Sequence, residues 1–509
     1  MLGSSSAIDV VLVNPGNRTQ VYQKLGTELA AIETPVWAGL IAQFLRGKQL
    51  SVDIIDANAL GLGPEETAQR VDEMDPLLTV VVVYGHQPSA STQNMPAAGA
   101  VASAIKRVAP QRRVAMVGGH AAALPARTLA EEDIDFVSGG EGLHTILDLV
   151  ELLKAGPSAV PSGYEQVRDL WYRDADGRPI ASRAAAPLFD VLDAEMPGMA
   201  YDLLPMDRYR AHNWHCFGDL DRERYASMYT TLGCPYHCSF CCIQAPFKSG
   251  EGASGLKMSV NSYRFWSPDT VIAKIDELVN QYGVRNIKMA DEMFVLNRKH
   301  ISDICDRIIE RRYDLNIWAY ARIDTVKDGM AEKLKAAGFN WLAFGIESAS
   351  ERVQASVAKR FNEEQVFETV TDVRTAGINV IGNYIFGLPE DDQESMQATL
   401  DLATDLNCEF ANFYVAMAYP GSELYTDALR EGWELPDDWS GYSQHAVNTR
   451  GLPTKYLGSG EVIRFRDDAF HAYFSNPRYL DMITRKFGQE TADHIRAMTS
   501  QRLERQYAS

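Results

Sequence analysis

The feature that most constrains this chain is a twofold recurrence of short apolar runs separated by stretches of helical periodicity. Between residues 8 and 155 the runs IDVVLVNP, SVDIIDA, TVVVVYG, RVAMVGG and IDFVSGG have the length and β-branched content of buried strands. Between the first two, VWAGLIAQFLRGKQL carries apolar residues at helical spacing and closes on Gly47. Strands that are apolar on both faces and joined through helices form a parallel sheet covered on both sides. The reading is therefore α/β, with a doubly wound sheet over residues 8–155. Such sheets bind ligands beyond the carboxyl ends of their strands. Those ends read Asn14-Pro15-Gly16, Tyr84-Gly85-His86, Gly118-Gly119-His120 and Gly139-Gly140-Glu141.

The alternation returns over residues 223–425, with YASMYTT, NIKMA, IWAYAR, WLAFGI, VIGNYIF and FANFYVAM as the strands. Ser267, Pro268 and Gly283 mark the N-cap, first position and end of the first intervening helix. Six such units predict a partial (β/α)6 barrel, TIM-like, with its active groups at the carboxyl strand ends. Residues 156–222 read as a linker with a small β element, LWYRDADGRPIAS turning at Asp176-Gly177. Residues 426–509 read as a mostly helical C-terminal region.

Three of the seven cysteines, Cys234, Cys238 and Cys241, lie in TLGCPYHCSFCC with the spacing C-x3-C-x2-C, just after the first barrel strand. Three thiolates on one loop make a soft anionic metal site. A closed zinc site needs a fourth ligand, and His237 and Cys242 adjoin ligands already used. A cubane iron–sulfur cluster held by three cysteines keeps one iron open to a small molecule. A zinc knuckle or three structural cysteines are the alternatives. The net charge of −19 disfavours a large nucleic-acid partner. So few cysteines in so long a chain are no disulfide framework, and the expected compartment is the reducing cytoplasm. No apolar run is long enough to span a membrane, and MLGSSSAIDVVLVNPGN lacks the basic start of a signal peptide.

The cysteine motif after the first strand of a β/α half-barrel resembles the radical S-adenosylmethionine (SAM) superfamily. The resemblance implies a 4Fe-4S cluster on Cys234, Cys238 and Cys241 whose open iron is chelated by SAM, and reductive cleavage of SAM to a 5′-deoxyadenosyl radical. It places the SAM amino group at Asp291 and Glu292 after the second strand, although the commoner family form is Gly-Gly-Glu. It places the carboxylate at Arg322, the ribose at Glu347 and Ser348, and the adenine near Asn383 and Phe386. Phe240 matches a position that the family often fills with an aromatic residue.

A doubly wound, Rossmann-like domain before such a barrel resembles the cobalamin-binding class of this superfamily. MVGGHAAALP and FVSGGEG are similar to stretches of that group. The implied corrinoid-binding residues are Asn14, Tyr84, His86, Ser89, Gly118, Gly119, His120, Gly139, Gly140 and Glu141. The D-x-H-x-x-G motif that supplies a cobalt ligand in some B12 proteins is absent. No cysteine precedes Cys216, so the extra N-terminal cluster of tRNA-modifying relatives has no ligands here. Cys216 in HNWHCFGD and His445 in WSGYSQHAV are substrate-wall candidates.

The function this implies is methyl transfer from methylcobalamin to an unactivated carbon of a small molecule, with an external donor of flavodoxin or ferredoxin type. A cyclisation or rearrangement on the same cofactors is the second reading. A non-catalytic cobalamin or nucleotide sensor is a third, of another class.

Overall fold

A computed structural model describes residues 8–16, 30–85, 87, 89–156, 163–218, 221–327 and 329–508. Strands β1 (Val10–Asn14), β2 (Val52–Asp56), β3 (Leu78–Val82), β4 (Val114–Val117) and β5 (Phe136–Ser138) form a parallel sheet in the order β2-β1-β3-β4-β5. The order reverses beside β1, which is where a doubly wound sheet opens a crevice. β3 and β4 are buried throughout, as their unbroken apolar runs require.

The 156–222 stretch forms its hairpin, β6 (Leu170–Arg173) and β7 (Pro179–Ala181), and the hairpin extends the first sheet. β6 pairs antiparallel with β5, Phe136 opposite Tyr172. The turn is closed by Asp174, whose Oδ1 accepts from the amides of Asp176 and Arg178 at 2.9 Å each.

The second sheet contains β8 (Tyr225–Met228), β11 (Asn286–Met289), β12 (Asn316–Ala321), β13 (Phe339–Glu347), β14 (Asn379–Phe386) and β15 (Phe410–Val415). They pair in parallel and in sequence order, with β8 and β15 at the edges: a six-stranded open barrel. A small ladder, β9 (Thr231–Leu232) with β10 (Arg264–Phe265), brackets the cysteine loop. The helix Pro268–Tyr282 starts and stops where its residues demand. Ser267 accepts from the Thr270 amide, Pro268 takes the first position, and Gly283 closes it at φ +65°.

An open barrel has two unpaired edges, and other parts of the chain cover both. On the β8 side, the Ser227 amide donates to Thr34 Oγ1 at 2.7 Å, and Glu33 Oε2 accepts from Tyr225 and Ser227. On the β15 side lies the helix Ser459–Phe474, where Arg466 Nε donates to the Phe413 carbonyl at 2.7 Å. The helices Pro477–Phe487 and Gln489–Ser500 complete a helical C-terminal region. Among the described residues no helix is long and apolar enough to cross a membrane.

Candidate active site

The cysteine loop leaves β9 through Gly233. Its φ is +85°, and a Cβ there would lie 2.3 Å from the Ser262 carbonyl oxygen, so only glycine fits the turn. A polar brace then holds the loop. The Cys234 amide donates to Gln244 Oε1 at 2.9 Å, and Gln244 Nε2 donates to Glu251 Oε1 at 2.7 Å. Glu251 also accepts from Ser262, and Asn261 donates to the Tyr236 carbonyl. These residues carry no motif and were not legible from sequence.

Cys234 is buried, Cys238 half-buried and Cys241 exposed. The exposure of Cys241 is toward an internal cavity of about 280 Å³ that Phe240, Cys241 and Cys242 line together. Burial pushes the Cys234 thiol up to about 11, and the neighbouring Cys238 charge adds to the rise while Arg322 opposes it. Lys359 and Arg322 lower the Cys238 thiol against a larger burial effect. Two cations therefore face thiols that must lose their protons to bind metal. Among the described residues no three His, Cys, Asp or Glu side chains converge on a point that would hold a single ion. A cluster asks for the wider arrangement, because each thiolate ligates a different iron.

The strand-end residues divide sharply. Glu292 lines the cavity, and its carboxylate makes no hydrogen bond to the described residues. Burial, opposed by Lys288 and reinforced by Asp291, pushes it up to about 8. Asp291, its neighbour, is sealed. It accepts from the Thr230 amide at 3.1 Å, from Thr230 Oγ1 at 2.7 Å and from Thr231 Oγ1 at 2.6 Å, and so ties β11 to the turn before the cysteines. Arg322 is also engaged: its Nε and Nη2 donate to Asp324 at 2.9 and 3.2 Å, and its guanidinium lies 4.0 Å over the Tyr236 ring.

Glu347 reaches the cavity from a bulge in β13, at φ +62°, and pairs with buried Lys359 at 2.6 Å. A side chain at Gly345 would collide with that pair, its Cβ 2.3 Å from Glu347 Oε1 and 2.5 Å from Lys359 Nζ. Ser348 points away, to Thr399 and the Ser350 amide, and Ser350 caps the next helix. On β14, Asn383 faces the cavity and bonds the Phe344 carbonyl and Asn412. Phe386 is an odd number of residues away, so it projects from the opposite face. It packs on Phe413 and Phe465, and Ile385 takes the inward position.

From the N-terminal sheet, Gln87, Ser89 and Gln93 line the same cavity as Cys241, so the two sheets face one space. Asn14 and Tyr84 border a smaller cavity of about 70 Å³ beside β1 and β3. Asn14 donates to Asp56, and Tyr84 is stacked 4.0 Å on Trp37 and donates to the Glu141 carbonyl. His86 lies outside the described residues. Gly118 has a backbone reason for being glycine: φ is +154°, and a Cβ would sit 2.2 Å from the Val83 carbonyl oxygen. Gly119 meets only Ser91, at 3.6 Å. His120 is buried against Thr92 and the edge of Trp439, its Nε2 is sealed with no partner among the described residues, and burial drives it down to about 3. A sealed nitrogen offers no cobalt ligand.

The Gly-Glu-Gly stretch is covered by protein. A Cβ on Gly139 would meet Trp171 and one on Gly140 would meet Asp169 and Ser249. Glu141 pairs with Arg264 at 2.6 Å, both nearly buried, and so clamps the first sheet to the β9–β10 ladder. Cys216 lies at the amino end of the barrel, near the Asp221 carbonyl and Asn286, and burial holds its thiol up at about 12. The strand carboxyl ends and the cavity they face are at the other end. His445 does border a cavity, the barrel interior of about 210 Å³.

Residues 22–150 match the B12 binding domain model, and residues 228–403 match the Radical SAM superfamily model. The chain is a cobalamin-dependent radical SAM enzyme. Over 472 residues it is 27% identical to an uncharacterized methyltransferase of Pyrococcus horikoshii, covering 92% of this chain and 93% of the relative. It is 25% identical over 460 residues to the anaerobic magnesium-protoporphyrin IX monomethyl ester cyclase of Cereibacter sphaeroides, covering 89% and 68%. The radical SAM methyltransferase TsrM from Kitasatospora setae, solved with cobalamin and a 4Fe-4S cluster, superposes with a TM-score of 0.66 at 16% identity, covering 92% of this chain and 91% of that one. That superposition takes in both the B12-binding sheet and the open barrel.

Proposed function

We propose that this enzyme methylates a carbon of a small molecule, with cluster, SAM and corrinoid meeting in the cavity between the two sheets. The observation that carries the reading is that single space: Cys241 and Cys242 form one wall, and Ser89 and Gln93 of the B12-binding domain form another. The cluster when bound supplies the electron that cleaves SAM, and the corrinoid supplies the methyl group. Cys234, Cys238 and Cys241 hold the cluster. Glu292, whose carboxylate makes no hydrogen bond to the described residues, would receive the SAM ammonium; Glu347 and Asn383 would border the rest of SAM, and Phe240 would shield its cluster end. Ser89, Asn14 and the open edge at Gly119 contact the corrinoid. The functional division follows the reading 8–155, 156–222, 223–425 and 426–509. An external electron-transfer protein serves the enzyme in the cytoplasm, and the acidic surface turns nucleic acid away.

The test is a cofactor and product census on protein purified without oxygen and reconstituted with iron, sulfide and cobalamin. About four irons and one corrinoid per chain are expected, with 5′-deoxyadenosine formed on reduction. Cys238→Ala is expected to lose the cluster and SAM cleavage together; retained cleavage would remove that residue from the site. The cyclase relative favours a second reading, ring closure on the same cofactors. Label from methyl-labelled SAM appears in product under the first reading and not under the second.

A further inference from the structure

Below the cavity that faces the cysteines, the interior of the open barrel contains a second space of about 210 Å³, and the two share Tyr320, Asn383 and Gln444 on their walls. Its sides are aromatic, with Trp214, Trp318, Phe410 and Phe470 prominent. Where β8 and β15 fail to meet, Ala30 lines one side of the seam and Arg466 and His445 line the other.

The charge balance along that seam is uneven. Lys288, on the β8 side, is offset by Glu33 at 3.5 Å. On the β15 side two arginines share one carboxylate. Arg505 takes both oxygens of Asp467, from Nε and Nη2 at 2.9 Å each, and fills its remaining donors with the Gln444 and Ala446 carbonyls and Thr449. Arg466 is left with one contact to the same carboxylate, Nη1 to Asp467 Oδ1 at 2.7 Å, and with Nε on the Phe413 carbonyl. Its Nη2 makes no hydrogen bond to the described residues. The side chain is 6% exposed, and what exposure it has is toward the cavity.

His445, also at this wall, is held neutral by burial and by the two arginines, so it contributes no compensating charge. The cluster of Arg466, Arg505, Asp467 and His445 therefore carries one positive charge in excess. A buried guanidinium short of an acceptor is costly, and an anion with two oxygens is its natural complement. Asn412 lines the same space as a neutral hydrogen-bonding group.

We propose that this barrel space is the substrate pocket, and that Arg466 is its specificity-determining residue for a substrate with an apolar or aromatic body and an anionic carboxylate or phosphate. The inference rests on the reading of the upper cavity as the place of SAM and corrinoid. Anchoring the anionic end at the seam leaves the apolar end directed up past Tyr320 and Asn383 toward the cysteine loop.

The experiment uses matched probes on the reconstituted full chain: 3-indolepropionate against its carboxamide, and phenyl phosphate against benzyl alcohol, each titrated by ligand-detected NMR. Each anion is expected to bind about tenfold or more tightly than its neutral counterpart. Arg466→Met abolishes that preference and Arg466→Lys, which keeps the charge, retains much of it. Circular dichroism confirms that the variants fold, and the lysine variant keeps the test decisive if the methionine variant does not. Equal binding of anion and neutral probe, no binding of either, or an undiminished preference in a folded Arg466→Met overturns the proposal. SAM cleavage is measured on the same samples. Cleavage without anion preference defeats the pocket assignment alone, whereas absent cleavage defeats the proposed function.

Discussion

Asp291 and Glu292 show how much one residue decides. Both are carboxylates after the second barrel strand, and the sequence offers no reason to separate them. The fold gives Asp291 three donors from two threonines and gives Glu292 an open cavity. Asp291→Ala strands those buried donors, and its cost is expected at about 2–4 kcal/mol in urea unfolding. Glu292→Gln is expected to leave the unfolding midpoint within error and to weaken SAM binding about tenfold, read by equilibrium dialysis of cluster-loaded protein. The reverse pattern would exchange their roles. Lys359 is the residue the sequence hid most completely. It belongs to no motif, and it lines the cavity paired with Glu347, which sits at the bulge in β13.

At the scale of elements, strand positions were legible because buried parallel strands are apolar on both faces, and what followed them was less so. Phe386 and Asn383 lie on one strand, and the two-residue period puts them on opposite faces. That separation was available from sequence once the register of β14 was known. The glycines after β4 are a harder case. Gly118 and Gly119 look equivalent, yet only Gly118 combines positive φ with a backbone oxygen where its Cβ would be. Gly118→Ala is expected to lower stability by about 2–3 kcal/mol, and Gly119→Ala to change it little, both by urea denaturation. Bulky replacement at Gly119 is thus the cleaner probe of corrinoid binding, because its effect is not mixed with unfolding. Unchanged corrinoid content in a folded Gly119→Phe would take that position out of the site.

For the whole molecule, one apolar core runs through both sheets, and buried polar contacts add to their docking, among them Glu141 with Arg264 and Glu33 with the β8 edge. Removing one partner of a buried pair costs about 3–5 kcal/mol, because the other is left without compensation. Arg264→Ala is expected to lower the calorimetric midpoint and to split one transition into two as the sheets uncouple. A single transition at the original midpoint would show that the pair contributes nothing to docking. Buried histidines set the acid limit. Burial drives His120, His215 and His445 down to about 3. Their unfolded forms bind protons near pH 6.5 and the folded forms do not, so the stability they contribute is whole above that pH. It is lost as pH falls toward 3, by about 1.4 kcal/mol per pH unit for each proton. Urea unfolding at pH 7 and pH 5 should show the fall, and His215→Asn should flatten it.

The chain's local chemistry determined the alternation of strands and helices, the caps at Ser267 and Gly283, the cysteine spacing and the order of two ligand-binding units. Each is written in neighbouring residues, where periodicity, backbone preference and thiol spacing act over a few positions. Tertiary structure alone decided which groups remain available. Asp291, Arg322 and Glu141 find protein partners, Gly118 answers to Val83, and Cys216 falls at the far end of the barrel. Glu292, Lys359 and Arg466 come to cavity walls from sites far apart in sequence. The reason is physical: a carboxylate or guanidinium has the same local signature whether it is spent on a neighbour or left for a ligand. Only long-range packing settles which.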